Sequence, residues 1–204
     1  MYFKNPNAIR TPYPAELAAV MNIAQAHQSR QWLSRWPQIT PKATPLYDLP
    51  DLAQRLQIER LSLKDESVRS PLGSFKALGA PIALVRQILR LHPTFEALGI
   101  LAGNYAERLK DYTVISATDG NHGRGLAAAA RDAGCRCVIV LHAHVSAERE
   151  QAIAALGAQI VRIAGNYDES VQEAARLASQ NGWQVVSDTS YEGYEEIPRD
   201  VMQG

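Results

Sequence analysis

Three side chains sit where an ordinary residue type could become a reagent. Lys76 lies in GSFKALG, directly after Gly73, Ser74 and Phe75, in the expected first turn of a helix. A lysine there opposes the helix macrodipole at a cost of roughly 0.3–1 kcal/mol. With Phe75, Ala77 and Leu78 as apolar neighbours, that cost would favour the neutral, nucleophilic amine. The plainer reading, a solvated charge on a helix surface, stays open at this level. Asp119 stands in SATDGNHGRG, immediately before the first of three glycines. Such turns usually hold anions, which a carboxylate would repel, so its presence needs a reason. Asp188 lies in SDTS, at the end of another expected strand. Asp119 can also be read as the N-cap of a helix starting near Asn121, and Asp188 as a cap or turn residue. Cap and catalyst can coexist.

Other chemistries fit less well. The glycines of GNHGRG fall as G-x-x-G-x-G, the reverse of the dinucleotide fingerprint, and SPLGSFK lacks the Walker order of glycine, lysine and hydroxyl. Cys135, Cys137, His142 and His144 are all capable of binding metal, but their C-x-C and H-x-H spacings match neither a zinc finger nor a helical histidine pair. Sheet packing and surface imidazoles are expected there, and no metal. The two cysteines are too close to bridge readily, so free thiols in a reducing compartment are expected. Lys plus Arg number 21 and Asp plus Glu number 21. That balance argues against nucleic acid and suits a small neutral or zwitterionic ligand. The N-terminal MYFKNPNAIRTPYPAEL has no apolar run of signal-peptide length, and nothing later approaches a membrane span. A cytoplasmic protein with no membrane partner is the expectation.

The elements that must position these residues change character along the chain. The first fifty residues are proline-punctuated around one expected helix, AELAAVMNIAQAHQSRQWLSRW. ATPLYDLP reads as extended, and Ile58, Leu61 and Leu63 suggest a strand. From Ser74, a candidate N-cap, SFKALGAPIALVRQILRLH turns helical, with Pro81 marking a kink or the first turn of a second helix. TFEALGILAGNYAERLKD reads as a helix broken at Gly103. Strands YTVISA, CRCVIVLHA, QIVRIAG and WQVVSDTS then alternate with helices NHGRGLAAAARDAG, SAEREQAIAALGA and YDESVQEAARLASQNG. This alternation predicts an α/β fold, a parallel sheet flanked by helices. Ligands of such sheets bind at the carboxyl ends of the strands, where the glycine stretch and SDTS both fall. The closing EEIPRDVMQG looks like the start of a further element, and we expect a truncated protein.

Together, SFKALG and TDGNHGRG resemble the fold type II pyridoxal-phosphate enzymes, the tryptophan synthase beta-like superfamily. The first resembles the segment bearing their Schiff-base lysine, and the second their asparagine loop. Serine and threonine dehydratases carry Ser or Thr where Asp119 stands. The Asp version, with LKDES before it and SDTSYEGYEEIP after it, resembles the diaminopropionate ammonia-lyases in particular, from about Ala43 onward.

The resemblance implies roles residue by residue. Lys76 would bind pyridoxal 5'-phosphate as a Schiff base, and Asn121 would donate to the cofactor's ring oxygen. Backbone amides around Gly120, His122 and Gly123 would receive the α-carboxylate of a small amino-acid substrate. Lys76 and Asp119 would act as bases on opposite faces, so that D- and L-isomers both react. Asp119 or Asp188 would attract the β-ammonium group. The reaction implied is α,β-elimination of 2,3-diaminopropionate to ammonia and an aminoacrylate, which hydrolyses to pyruvate and a second ammonia. Residues 1–80 would begin a large domain, 81–193 form a small one and 194–204 return toward the first. A second half would supply the phosphate cup, the partner of the pyridine nitrogen and the rest of the large domain's sheet. The full-length protein would be a homodimer, and the 204-residue chain alone weak or inactive. Two rivals stand beside this reading: a serine/threonine dehydratase-like lyase, and a non-catalytic remnant that binds an amino acid or a partner chain.

Overall fold

The computed structural model describes residues 5–8, 11–118 and 120–204, so Asp119 lies outside the described residues. The chain opens with helices α1 (Ala15–Val20) and α2 (Ile23–Leu33). These replace the single helix expected there. Asn22 has extended backbone, and its side chain accepts from Gln25 N at 2.8 Å while donating to Ala18 O at 3.0 Å. One residue thus ends a helix and caps the next.

Strand β1 (Leu46–Asp48), helix α3 (Pro50–Arg55) and strand β2 (Ser62–Lys64) follow. The two strands pair antiparallel, and every residue of the ribbon is exposed. The expected strand is therefore shorter than its apolar pattern implied, since Ile58 and Leu61 lie outside it. Helix α4 (Lys76–Leu91) is one continuous helix through Pro81. The expected kink or second helix does not occur. One backbone bond is forfeited at proline, but residues from Ala77 to Ile88 are buried on almost every side, and packing outweighs that loss. Helices α5 (Ala97–Leu101) and α6 (Ala106–Leu109) are separated at Gly103, as expected.

The alternating block follows its sequence pattern. Strands β3 (Thr113–Ala117), β4 (Arg136–Leu141), β5 (Gln159–Arg162) and β6 (Gln184–Val185) form one parallel sheet in the order β5-β4-β3-β6. Between them run α7 (Asn121–Ala133), α8 (Ala147–Ala154) and α9 (Tyr167–Asn181). Ser146 caps α8 and Gly134 closes α7 in the left-handed conformation. Alternate residues serve opposite faces of the sheet. Ile115, Val138 and Val140 pack with Ala174 and Ala178 of α9. Val114, Ile139 and Leu141 join a larger cluster with α4 and α7.

Helix α10 (Glu196–Met202) ends the chain, so the tail is an ordered helix. Its Asp200 carboxylate is buried between Arg86 (3.2 Å) and Arg90 (2.5 Å) of α4. Leu33, Trp36, Leu72, α4, α7 and Ile197 share one buried cluster. Among the described residues, no helix is long and apolar enough to cross a membrane.

Candidate active site

The carboxyl edge of the sheet meets the N-terminus of α4 because two helices pack unusually close. A Cβ on Gly125 would stand 3.0 Å from Lys76 O and 3.3 Å from Ala80 Cβ, and one on Gly123 would stand 2.5 Å from Thr118 Cγ2. These two glycines let α7 lie against α4 and against the end of β3. A side chain at either position would block that approach. The contact brings Lys76 beside the start of α7.

Lys76 Nζ then reaches Asp188 Oδ2 at 2.6 Å, across 112 positions of sequence. Asp188 is placed by the end of β6, where Val186 N donates to Ile115 O of β3 at 2.9 Å. Lys76 therefore lacks the apolar setting expected for it. Its side chain is 43% exposed and faces a carboxylate, because Phe75 turns outward to solvent. Ser74 is not the formal N-cap either: α4 starts one residue later, and Ser74 Oγ accepts from Lys76 N at 3.2 Å. Burial works to raise the Asp188 carboxyl, the neighbouring His122 and Lys76 work against it, and the net result lies below the ordinary carboxylate range. Burial likewise drives the His122 imidazole below its ordinary range, against the pull of Asp188 and the Val186 carbonyl.

A cleft of about 600 Å³ opens here, lined by Lys76, Asn121, Arg124, Arg149, Tyr167 and Asp188 among others. Small-molecule sites run to roughly 300–1,000 Å³. Of the expected residues, Lys76, Gly120, Asn121, His122 and Asp188 all border the cleft. Gly123 packs against Thr118, and Asp119 falls outside the described residues. The amides of Gly120 and Gly123 both donate to Thr118 Oγ1, at 3.2 and 3.4 Å. A carboxylate taking those two amides must displace or share that hydroxyl. Cys135 and Cys137 are buried free thiols, and no group of potential metal ligands occurs among the described residues.

Sequence reasoning gave no role to Thr118, Arg124, Arg149, Tyr167 or Thr189. Thr118 and Arg124 stand inside the quoted glycine stretch, with only their proximity to Asn121 as a signal. Tyr167 Oη and Thr189 Oγ1 meet at 3.1 Å, joining the start of α9 to the loop after β6. No local pattern announces such a pairing.

Residues 38–202 match the family model described as pyridoxal-phosphate dependent enzyme. The chain belongs to that family. Its curated relatives include diaminopropionate ammonia-lyase of Salmonella typhimurium, 39% identical over 79% of this chain and 41% of that protein. The Escherichia coli diaminopropionate ammonia-lyase is 36% identical over 94% of this chain and 48% of its own length. The holo crystal structure of the Escherichia coli lyase shares the fold with a TM-score of 0.80 and 35% identity, covering 90% of this chain and 47% of that one. The chain spans about half the length of the curated relatives it matches. Its architecture is accordingly that of the fold type II enzymes, and the family's cofactor is pyridoxal phosphate. The residues present fit that group's aldehyde end: a solvent-reachable lysine amine opens on a cleft of suitable volume, with Asn121 beside it.

Proposed function

We propose that this chain carries the lysine-bearing portion of a lyase that eliminates ammonia from 2,3-diaminopropionate, D and L, to give pyruvate and two ammonia. The observation that carries the reading is the Lys76–Asp188 pair at 2.6 Å, lying in a cleft at the strand ends beside Asn121. The likeness to diaminopropionate ammonia-lyases over most of the chain supports the substrate class. When bound, pyridoxal phosphate supplies the electron sink that acidifies the proton on the substrate's Cα.

The chain's own residues then have distinct tasks. Lys76 would hold the cofactor's aldehyde carbon, and Asn121 would donate to its ring oxygen. The Lys76 Nζ would accept the Cα proton on one face. Asp119 would serve the other face, which accounts for an acid where serine and threonine dehydratases carry a hydroxyl residue. Asp188 draws the β-ammonium group into the cleft, because a carboxylate held below its usual range stays ionised throughout the neutral region. Ammonia leaves well only when protonated, so a carboxylate near Cβ also keeps that proton in place. Amides at the start of α7, including those of Gly120, His122 and Gly123, receive the α-carboxylate at a helix N-terminus. We further assign residues 1–80 to a large domain, 81–193 to a small one, 194–204 to the return toward the first, and a homodimer to the whole enzyme.

Two experiments test this. Lys76→Ala should abolish the visible absorbance that the wild type gains with pyridoxal phosphate. A panel of diaminopropionate, serine and threonine should give ammonia from the first far faster than from the others; preference for serine or threonine would indicate a dehydratase instead. Within the panel, Asp119→Asn should cut turnover of the D-isomer more than the L-isomer, and equal loss would remove the two-base arrangement.

A further inference from the structure

The side chain of His122, inside the glycine stretch, is left unused by the proposed chemistry. Its ring is almost wholly buried, with Nε2 2.9 Å from the Val186 carbonyl oxygen. Since a carbonyl only accepts, Nε2 carries the hydrogen and Nδ1 of the neutral ring is a bare lone pair. Among the described residues, Nδ1 has no hydrogen-bond partner. A buried acceptor left unmatched is unfavourable. The nearest candidate is Asp188 Oδ2, 3.9 Å away, the same oxygen that Lys76 holds.

We infer that His122 is a positioning residue for Asp188, its second partner, which engages the carboxyl group when Lys76 withdraws. With Lys76 in place, Asp188 is an acceptor twice over and has nothing to offer a lone pair. Once the amine is committed elsewhere, Nδ1 takes one proton from solvent and donates it to the still-ionised Asp188 carboxylate as N–H···O. No heavy-atom bond forms or breaks; the Asp188 side chain need only turn to close 3.9 Å to a hydrogen-bond length of about 2.7–3.0 Å. Asp188 would thus keep a partner at this end of the cleft whether or not Lys76 is occupied.

The other charged groups around the pair are accounted for. Glu148 and Arg149 of α8 and Arg124 of α7 line the same cleft as His122, whose ring is almost wholly buried. The Tyr194 hydroxyl already accepts from Ser187 N at 2.9 Å and donates to Val185 O at 3.1 Å. The inference rests on Lys76 leaving Asp188 during the proposed reaction, but its test needs neither cofactor nor substrate.

The test is the histidine ring ¹⁵N spectrum of the cofactor-free protein between about pH 5 and pH 8. Wild type should show His122 as the Nε2–H tautomer with a bare Nδ1. In Lys76→Ala, and equally in Lys76→Met, the Nδ1 resonance should move upfield as it gains a hydrogen. Adding Asp188→Asn to Lys76→Ala should abolish that shift, because the accepting carboxylate is gone. An Nδ1 unchanged by loss of Lys76 in a folded variant, or a shift that survives loss of the Asp188 carboxyl intact, would overturn the inference. Failure of the lyase reading would instead appear in the substrate panel and leave these spectra as they are.

Discussion

The parallel sheet and the β1–β2 ribbon are both built from apolar-rich strands, yet they are held together differently. Every residue of β3 is buried, and β4 is buried from Cys137 to Leu141. The ribbon leaves Leu46, Tyr47 and Leu63 about half exposed or more. What fixes the chain around the ribbon is polar. Glu66 accepts from Arg69 at 2.9 Å and from Thr44, and Arg69 also donates to the Thr40 and Lys42 carbonyls at 3.2 and 3.1 Å. Arg60 bonds Asp48 with both nitrogens of one edge. The sheet is stabilised by area removed from water, and the ribbon by local hydrogen bonds and charge.

The contrast sharpens most under truncation. Ile139→Ala in β4 should cost about 2–5 kcal/mol of stability, the usual range for a fully buried aliphatic side chain. Leu63→Ala in β2 should stay within about 0.5 kcal/mol. Urea melts of both variants decide; similar losses would mean that the ribbon also rests on burial. A smaller effect is expected where a cap does the structural work. Asn22→Ala should cost about 1 kcal/mol and appear as lost helicity in circular dichroism, because both helix ends at Asn22 lose a partner.

The smallest effect distinguishes the regions by acid. Hydrogen bonds from Arg69 and Thr44 hold the Glu66 carboxyl at about 2, against an ordinary 4.5. A depressed carboxyl contributes stability that is full above its unfolded value and is lost as pH falls through its folded one. Amides around residues 44–69 should therefore lose hydrogen-exchange protection as pH drops from about 4.5 toward 2, before those of β3 and β4 do. In Glu66→Gln that step should be absent. Equal loss in ribbon and sheet would contradict the polar account.

The same contrast explains what the sequence made legible. The alternating block announces itself because each boundary carries its own signal, such as Ser146 at the start of α8 or Gly134 after α7, and because strands buried on both faces are mostly apolar. The break at Asn22 was missed since apolar spacing continues across it, and an asparagine inside a long helical pattern looks tolerable until its two backbone bonds are seen. Pro81 misled in the other direction: the burial that tolerates it comes from α7 and α10, which no local window contains.

At the site, Lys76, Asn121 and Asp188 were recognisable from short motifs, and the structure brings all three to one cleft. Their setting was not. Whether Lys76 meets apolar neighbours or a carboxylate depends on a contact spanning 112 positions. Likewise, nothing in the local sequence shows that Gly125 lies against α4 and Gly123 against the end of β3.

The central claim is that the Lys76 amine is the covalent anchor in a cleft it shares with Asp188. Adding pyridoxal phosphate to the protein, reducing with borohydride and mapping the modified peptide by mass spectrometry tests it most directly. The account predicts a pyridoxyl group on the peptide containing Lys76, with none there in Lys76→Ala. Labelling of other lysines with Lys76 left unmodified would contradict it.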